Sequence, residues 1–217
     1  MEVGNYRRDI NGVVLEDKDS GFKSALYERQ LKNGNTEYAY VTCGNNDGDD
    51  WINNFTQAVG KSKQYDISVK NARRLAEELG NDNLAFVGHS LGGGLAAANA
   101  YATGGRALTF NAAGLSQFTF MKIAPIKGTR IDAYVSWRDE LNILQLFVGM
   151  PADGNWHIRS ASSTALGHSM DNFTEPTLFE RIELEWSKLN NYMKNLVNPM
   201  NYYGFKKNVI LYFYSMC

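Results

Sequence analysis

Three things are scarce in this 217-residue chain, and each scarcity closes a class of function. Cysteine occurs twice, as Cys43 and Cys217 near opposite ends of the sequence. Two residues so placed make neither a disulfide framework nor a zinc site. Charge of one sign is not in excess: 22 Lys and Arg against 23 Asp and Glu leave a net charge of -1. A chain so balanced has no global field to draw in nucleic acid. Long apolar runs are missing too. Nowhere do eighteen apolar residues run together, so no helix spans a membrane, and the longest apolar stretches are Leu141 to Pro151, interrupted by polar residues, and Val209 to Tyr214. Met1 to Ile10 is polar and charged, with no signal-peptide apolar region. The expectation is a protein made in the cytoplasm and exported, if at all, by a specialised route or inside a larger polypeptide.

What is present reads as a globular protein. Apolar residues make up 44% and charged residues 21%, which excludes a disordered or collagen-like chain, and the length suits a single domain over 1–217. Residues 1–20 read as a polar lead-in. Phe22 to Leu31 and Thr36 to Thr42 read as strands joined by a turn at Asn33-Gly34-Asn35. Tyr65, Val69, Ala72, Ala76 and Leu79 form one helical stripe over 62–79, and Gly80 stops it. Asn83 to Val87, Ala107 to Phe110 and Arg130 to Ser136 read as short buried strands. Alanine-rich Leu95 to Ala102 reads as helix, as does 175–197. Strands alternating with helices predict an α/β fold: a mainly parallel central sheet with helices on both faces. Such sheets place their sites at the carboxyl ends of the strands.

The most informative segment is Leu84-Ala85-Phe86-Val87-Gly88-His89-Ser90-Leu91-Gly92-Gly93-Gly94-Leu95-Ala96. An apolar strand runs into Gly-x-Ser-x-Gly and then into a helix. A serine hydroxyl becomes a useful nucleophile only when it stands clear of the sheet and meets a base. A sharp strand-to-helix turn raises Ser90 at its apex in a strained conformation. Gly88 and Gly92 flank it because a Cβ at either would strike a neighbouring element. The following helix aims its first amides at the site, so the Leu91 N–H can donate to a developing oxyanion. A dinucleotide site would need an acidic residue about 20 positions beyond its glycines, but none lies between Asp82 and Asp132. A phosphate loop would need Lys where Leu95 stands.

Only His89, His157 and His168 can serve as the base. His89 adjoins the serine in sequence, so its ring points away from the hydroxyl and packs at the elbow. His157 lies in a strand-like alternation, Asn155 to Arg159. His168 lies in a loop signature, Leu166 to Met170, where catalytic histidines of such sheets ride, and it leads over His157. Asp132, Asp139, Glu140 and Asp153 fall between serine and histidine in chain order. Asp132 lies within a strand. Asp139 follows a strand's carboxyl end and leads, with Asp153 its nearest rival.

The elbow Gly-His-Ser-Leu-Gly-Gly-Gly-Leu-Ala, the stretch Val41-Thr42-Cys43-Gly44-Asn45 and the following Asp50-Trp51-Ile52-Asn53-Asn54 resemble the class 3 lipases, a branch of the α/β-hydrolases. The match covers roughly 22 to 173, leaving a C-terminal helix and tail over 174–217. Gly21-Phe22-Lys23 and Thr109-Phe110-Asn111-Ala112-Ala113-Gly114 make the chain similar to lipase domains of bacterial polymorphic toxins and type VI secretion effectors. The resemblance implies Asn45 as the second oxyanion donor, through its backbone N–H, in place of the family's hydroxyl residue. It places Asp139 and His168 at the acid and base positions and segment 46–60 at the lid. It implies a lipid or phospholipid ester substrate, an antibacterial effector role, and an immunity protein or secretion machine as partner.

The mechanism expected is an acyl-serine cycle by Ser90, Asp139 and His168, with Leu91 and Asn45 as oxyanion hole and no metal or organic cofactor. The apolar run Leu141 to Met150 is core, an acyl groove or a lipid-facing flap. The aromatic and basic tail, Tyr202 to Tyr214, is a peripheral membrane contact, an edge strand or a disordered end. A soluble esterase or thioesterase, or a catalytically inactive lipase-like binding module, are the competing readings.

Overall fold

The structure is a computed structural model that describes residues 5–7, 10–31, 33–44, 62–159 and 167–173. Its strands are β1 (Asn5–Arg7), β2 (Glu16–Asp17), β3 (Phe22–Gln30), β4 (Thr36–Thr42), β5 (Leu84–His89), β6 (Arg106–Phe110), β7 (Arg130–Ser136) and β8 (Asn155–Arg159). Helices are α1 (Ser62–Leu79), α2 (Leu91–Thr103), α3 (Gln117–Ile123) and α4 (Glu140–Phe147), with a short 3-10 helix over Met170–Phe173. The strands lie in the order β1-β3-β4-β5-β6-β7-β8, and β2 pairs β3 from the side. β4 to β8 are parallel, and β1, β3 and β4 pair antiparallel. This is an α/β fold with a mostly parallel sheet.

The two faces of the sheet separate by residue parity, as the period of two demands. Leu26, Tyr40, Leu84 and Phe86 face α1 and α2, where Ala72, Leu75, Ala96, Ala97 and Ala100 meet them. Ala25, Tyr27, Ala39, Val41, Ala85 and Val87 face the other way, where the 3-10 helix contributes Met170 and Phe173. Helices on both faces were expected; among the described residues α1 and α2 share one face. α2 is almost wholly buried, and its small residues bring it close to the sheet. Gly104 closes α2 in the left-handed conformation (φ 69), and Gly80 follows α1 at φ 79.

Two readings change. The lead-in is not featureless, since β1 and β2 both pair with β3. The stretch between β6 and β8 holds two helices, α3 and α4, that apolar periodicity does not reveal. Cys43 is buried beyond β4. The helix expected over 175–197, the lid segment 46–60 and the aromatic tail lie outside the described residues.

The register lines up the sheet's carboxyl ends. Thr42 pairs with Gly88, His89 with Phe110, Phe110 with Tyr134, and Ser136 with Arg159. The residues just past these ends are Gly44, Ser90, Asn111 and Asp139, so four consecutive strands deliver them to one rim.

Candidate active site

Ser90 is the hinge between β5 and α2. Its φ of 55° and ψ of -127° are strained for a residue with a Cβ. Four backbone bonds hold it there. Its N–H donates to Phe110 O at 3.1 Å, and its carbonyl accepts from Gly93 at 3.0 Å, Gly94 at 3.2 Å and Ala113 at 2.9 Å. The flanking glycines are required by space. A Cβ on Gly88 would stand 2.0 Å from Gly92 O, and one on Gly92 would stand 2.2 Å from Thr42 O. Thr42 Oγ1 also donates to Gly92 O at 2.7 Å, tying the end of β4 to the elbow. Gly44 then passes beside the turn: a Cβ on it would lie 3.5 Å from Ser90 Cβ and 3.6 Å from Leu91 N. The chain leaving β4 therefore borders the first amide of α2. Asn45 itself lies outside the described residues.

Asp139 is fully buried and caps α4. One carboxylate oxygen accepts from Asn142 N at 2.7 Å, and the other accepts from His168 Nδ1 at 2.6 Å. A carboxylate satisfied on both oxygens tolerates burial. Because the bonded His168 nitrogen donates to Asp139, the neutral ring keeps its lone pair on Nε2. Ser90 and the Asp139–His168 pair thus lie at the same end of the sheet.

The loop bearing His168 is fixed by close packing. A Cβ on Gly167 would fall 1.8 Å from Arg138 O, so only glycine lets the loop lie against the residue before Asp139. Two buried asparagines hold the Gly167 carbonyl: Asn111 Nδ2 and Asn172 Nδ2 each donate to it at 3.1 Å. Asn111 Oδ1 accepts from Ser136 N at 2.8 Å, and its own φ is 42°. Neither asparagine figures among the sequence candidates, although Asn111 lies at the end of an expected strand.

His89 has a part beyond packing. Its Nε2–H donates to His168 O at 2.7 Å, and the two rings lie 4.7 Å apart. Burial, helped by the neighbouring His168, holds its pKa down at about 3, so the ring is neutral. The rival residues pair elsewhere. His157 Nε2 meets Asp132 Oδ1 at 2.7 Å and stacks on Tyr134. Asp153 accepts from Leu115 N at 3.0 Å and from Tyr101 Oη at 3.3 Å. Glu140 is exposed in the first turn of α4. Of the acids weighed, Asp139 is the one bonded to the loop histidine.

Comparison with known proteins finds phospholipase-like sequences. Over 115 residues the chain is 41% identical to a protein named extracellular phospholipase A1 from Serratia liquefaciens. That stretch is 52% of this chain and 34% of the relative, so the match spans about a third of the relative's length. A family model for a Tle-like phospholipase domain matches residues 5–173, the whole span from β1 to the 3-10 helix. The chain belongs to the Tle-like phospholipase family.

Proposed function

We propose that the protein is a serine carboxylic-ester hydrolase of the α/β-hydrolase type that removes a fatty acid from phospholipids through an acyl-serine intermediate. The observation that supports this most is the 2.6 Å bond from His168 Nδ1 to buried Asp139, at the same sheet end as Ser90. In this reading His168 Nε2 takes the Ser90 proton as Oγ bonds to the ester carbonyl carbon. The carbonyl oxygen gains charge and is met by the Leu91 N–H and the Asn45 N–H. As the tetrahedral species collapses, the ester C–O bond breaks and His168 gives its proton to the leaving lysophospholipid alkoxide. Water then attacks the acyl-serine by the same route and releases the fatty acid. Asp139 holds the imidazole tautomer and stabilises the cation formed twice per cycle.

The name of the Serratia relative supports attack at the first acyl position. The resemblance to secreted effector lipases supports action on membranes outside the producing cell. The test is release of fatty acid from phosphatidylethanolamine and phosphatidylglycerol vesicles by wild type and Ser90→Ala. Loss of the nucleophile should cost on the order of 10³-fold or more. Mass analysis of the lysophospholipid assigns the acyl position. Equal hydrolysis by both proteins would overturn the serine mechanism, and hydrolysis of soluble thioesters alone would overturn the lipid substrate.

A further inference from the structure

Helix α4 is built inside out. Its buried positions include Asn142 and Gln145, 2% and 1% exposed, beside Leu141. The Gln145 amide bonds the backbone of Ala112 and Gly114. Its outward positions are Ile143, Leu144, Leu146 and Phe147, followed by Val148, and Phe147 is 85% exposed. An ordinary surface helix shows the opposite arrangement. Trp137, 61% exposed, stands just before the helix. Five large apolar side chains and this indole thus cluster within twelve residues, and from Leu141 to Ala152 the sequence carries no charge of either sign. A contiguous apolar face of this kind is an interaction surface.

We propose that the outer face of α4 and Trp137 form the surface by which this protein sits on a phospholipid bilayer. Three features favour lipid over a protein partner. The uncharged run suits a hydrocarbon boundary, where any charge is expensive. Cationic Arg138 lies 5.8 Å over the Trp137 ring and is exposed at the rim, where lipid phosphates would meet it. Between Trp137 and Ala152 the one exposed acid is Glu140, at the first turn of the helix. The face is also continuous with the candidate site, because the residue capping α4 is Asp139, the carboxylate bonded to His168. A helix lying on the membrane through this face would bring the site's rim to the lipid. This rests on the phospholipase reading and adds the membrane-binding surface to it.

The test separates binding from chemistry. Vesicle flotation is measured with Ser90→Ala, which removes turnover, alone and combined with Leu146→Glu and Phe147→Glu. Phosphatidylcholine vesicles with and without phosphatidylglycerol are the probe. The two glutamates should weaken binding by about tenfold or more and abolish the blue shift of tryptophan fluorescence on vesicle addition. On the active background the same pair should lower vesicle hydrolysis by a similar factor while changing hydrolysis of a monomeric short-chain ester less than about twofold. Unchanged flotation would overturn the proposal. So would an equal loss on monomeric and vesicle substrates, or lipid-free sedimentation showing a dimer that the glutamates dissociate, since the face would then be a self-interface. If wild type cleaves no ester yet the glutamates abolish flotation, the phospholipase reading fails and the surface stands.

Discussion

Asn111 shows how one side chain can couple three parts of a site. Its amide oxygen receives Ser136 N at the end of β7, and its amide nitrogen reaches Gly167 O beside His168. Ser136 O in turn receives Asp139 N at 3.0 Å. Asp139 and His168 are thus registered through one fully buried amide in a left-handed conformation. Asn is enriched in that conformation among non-glycine residues. Asn111→Asp keeps the acceptor for Ser136 N but turns the donor facing Gly167 O into an acceptor. The expected result is a fall in kcat of about tenfold or more with little change in KM, because the base is misplaced and substrate contacts are not. Steady-state kinetics on a soluble ester, with circular dichroism to confirm folding, decides it. A folded variant with normal kcat would show that the His168 loop holds its place without this bond. Sequence reasoning singled out Ser90, Asp139 and His168 because nucleophile, acid and base have distinctive residue types and chain order. It passed over Asn111 because an asparagine after a strand reads equally as a turn.

At the scale of elements, periodicity was legible where burial follows it and silent where it does not. β4 and β7 match their expected bounds, as does α1, where Ala72 of the expected stripe meets the sheet together with Leu75, which that stripe omits. α2 begins four residues earlier than alanine content suggests, because Gly92, Gly93 and Gly94 are helical. Those glycines are chosen for approach: a Cβ on Gly93 would stand 2.6 Å from Ala112 Cβ. α4 was hidden because its apolar residues face outward and its polar ones inward, so a search for a buried stripe finds core or groove instead. The same logic of approach predicts the outcome at Gly167. Its Cβ would lie 1.8 Å from Arg138 O, a backbone atom that cannot swing aside. Gly167→Ala must move the His168 loop off the start of α4, lengthening the 2.6 Å bond to Asp139. A displacement near 1 Å costs turnover on the order of 10²-fold. The vesicle assay on the purified, folded variant measures it, and wild-type turnover would mean that the loop yields without disturbing the pair.

Across the whole molecule, the buried elbow couples folding to pH through His89. Its folded pKa is held at about 3 by burial first and by His168 second, against an ordinary 6.5. The unfolded chain therefore binds a proton on this ring below about pH 6.5 while the native state does not. Stability from this group is complete above that pH, declines as pH falls, and stops declining near pH 3. A small part of His89 remains accessible to solvent, so the loss between pH 7 and pH 5 is on the order of 1–2 kcal/mol. Asp153 works in the opposite sense, because burial raises its carboxyl pKa and the native state takes up its proton first. A wild-type curve alone would mix the two. His89→Gln resolves them, since glutamine retains an N–H for the His168 carbonyl and cannot titrate. Urea unfolding followed from pH 7 to pH 4 should give a shallower fall for the variant, with the two curves converging toward the acid end and the wild type's advantage confined to neutral pH. Parallel curves would mean that the imidazole at the elbow is solvated enough to protonate in place, and the neutral donor to the His168 loop would go with it.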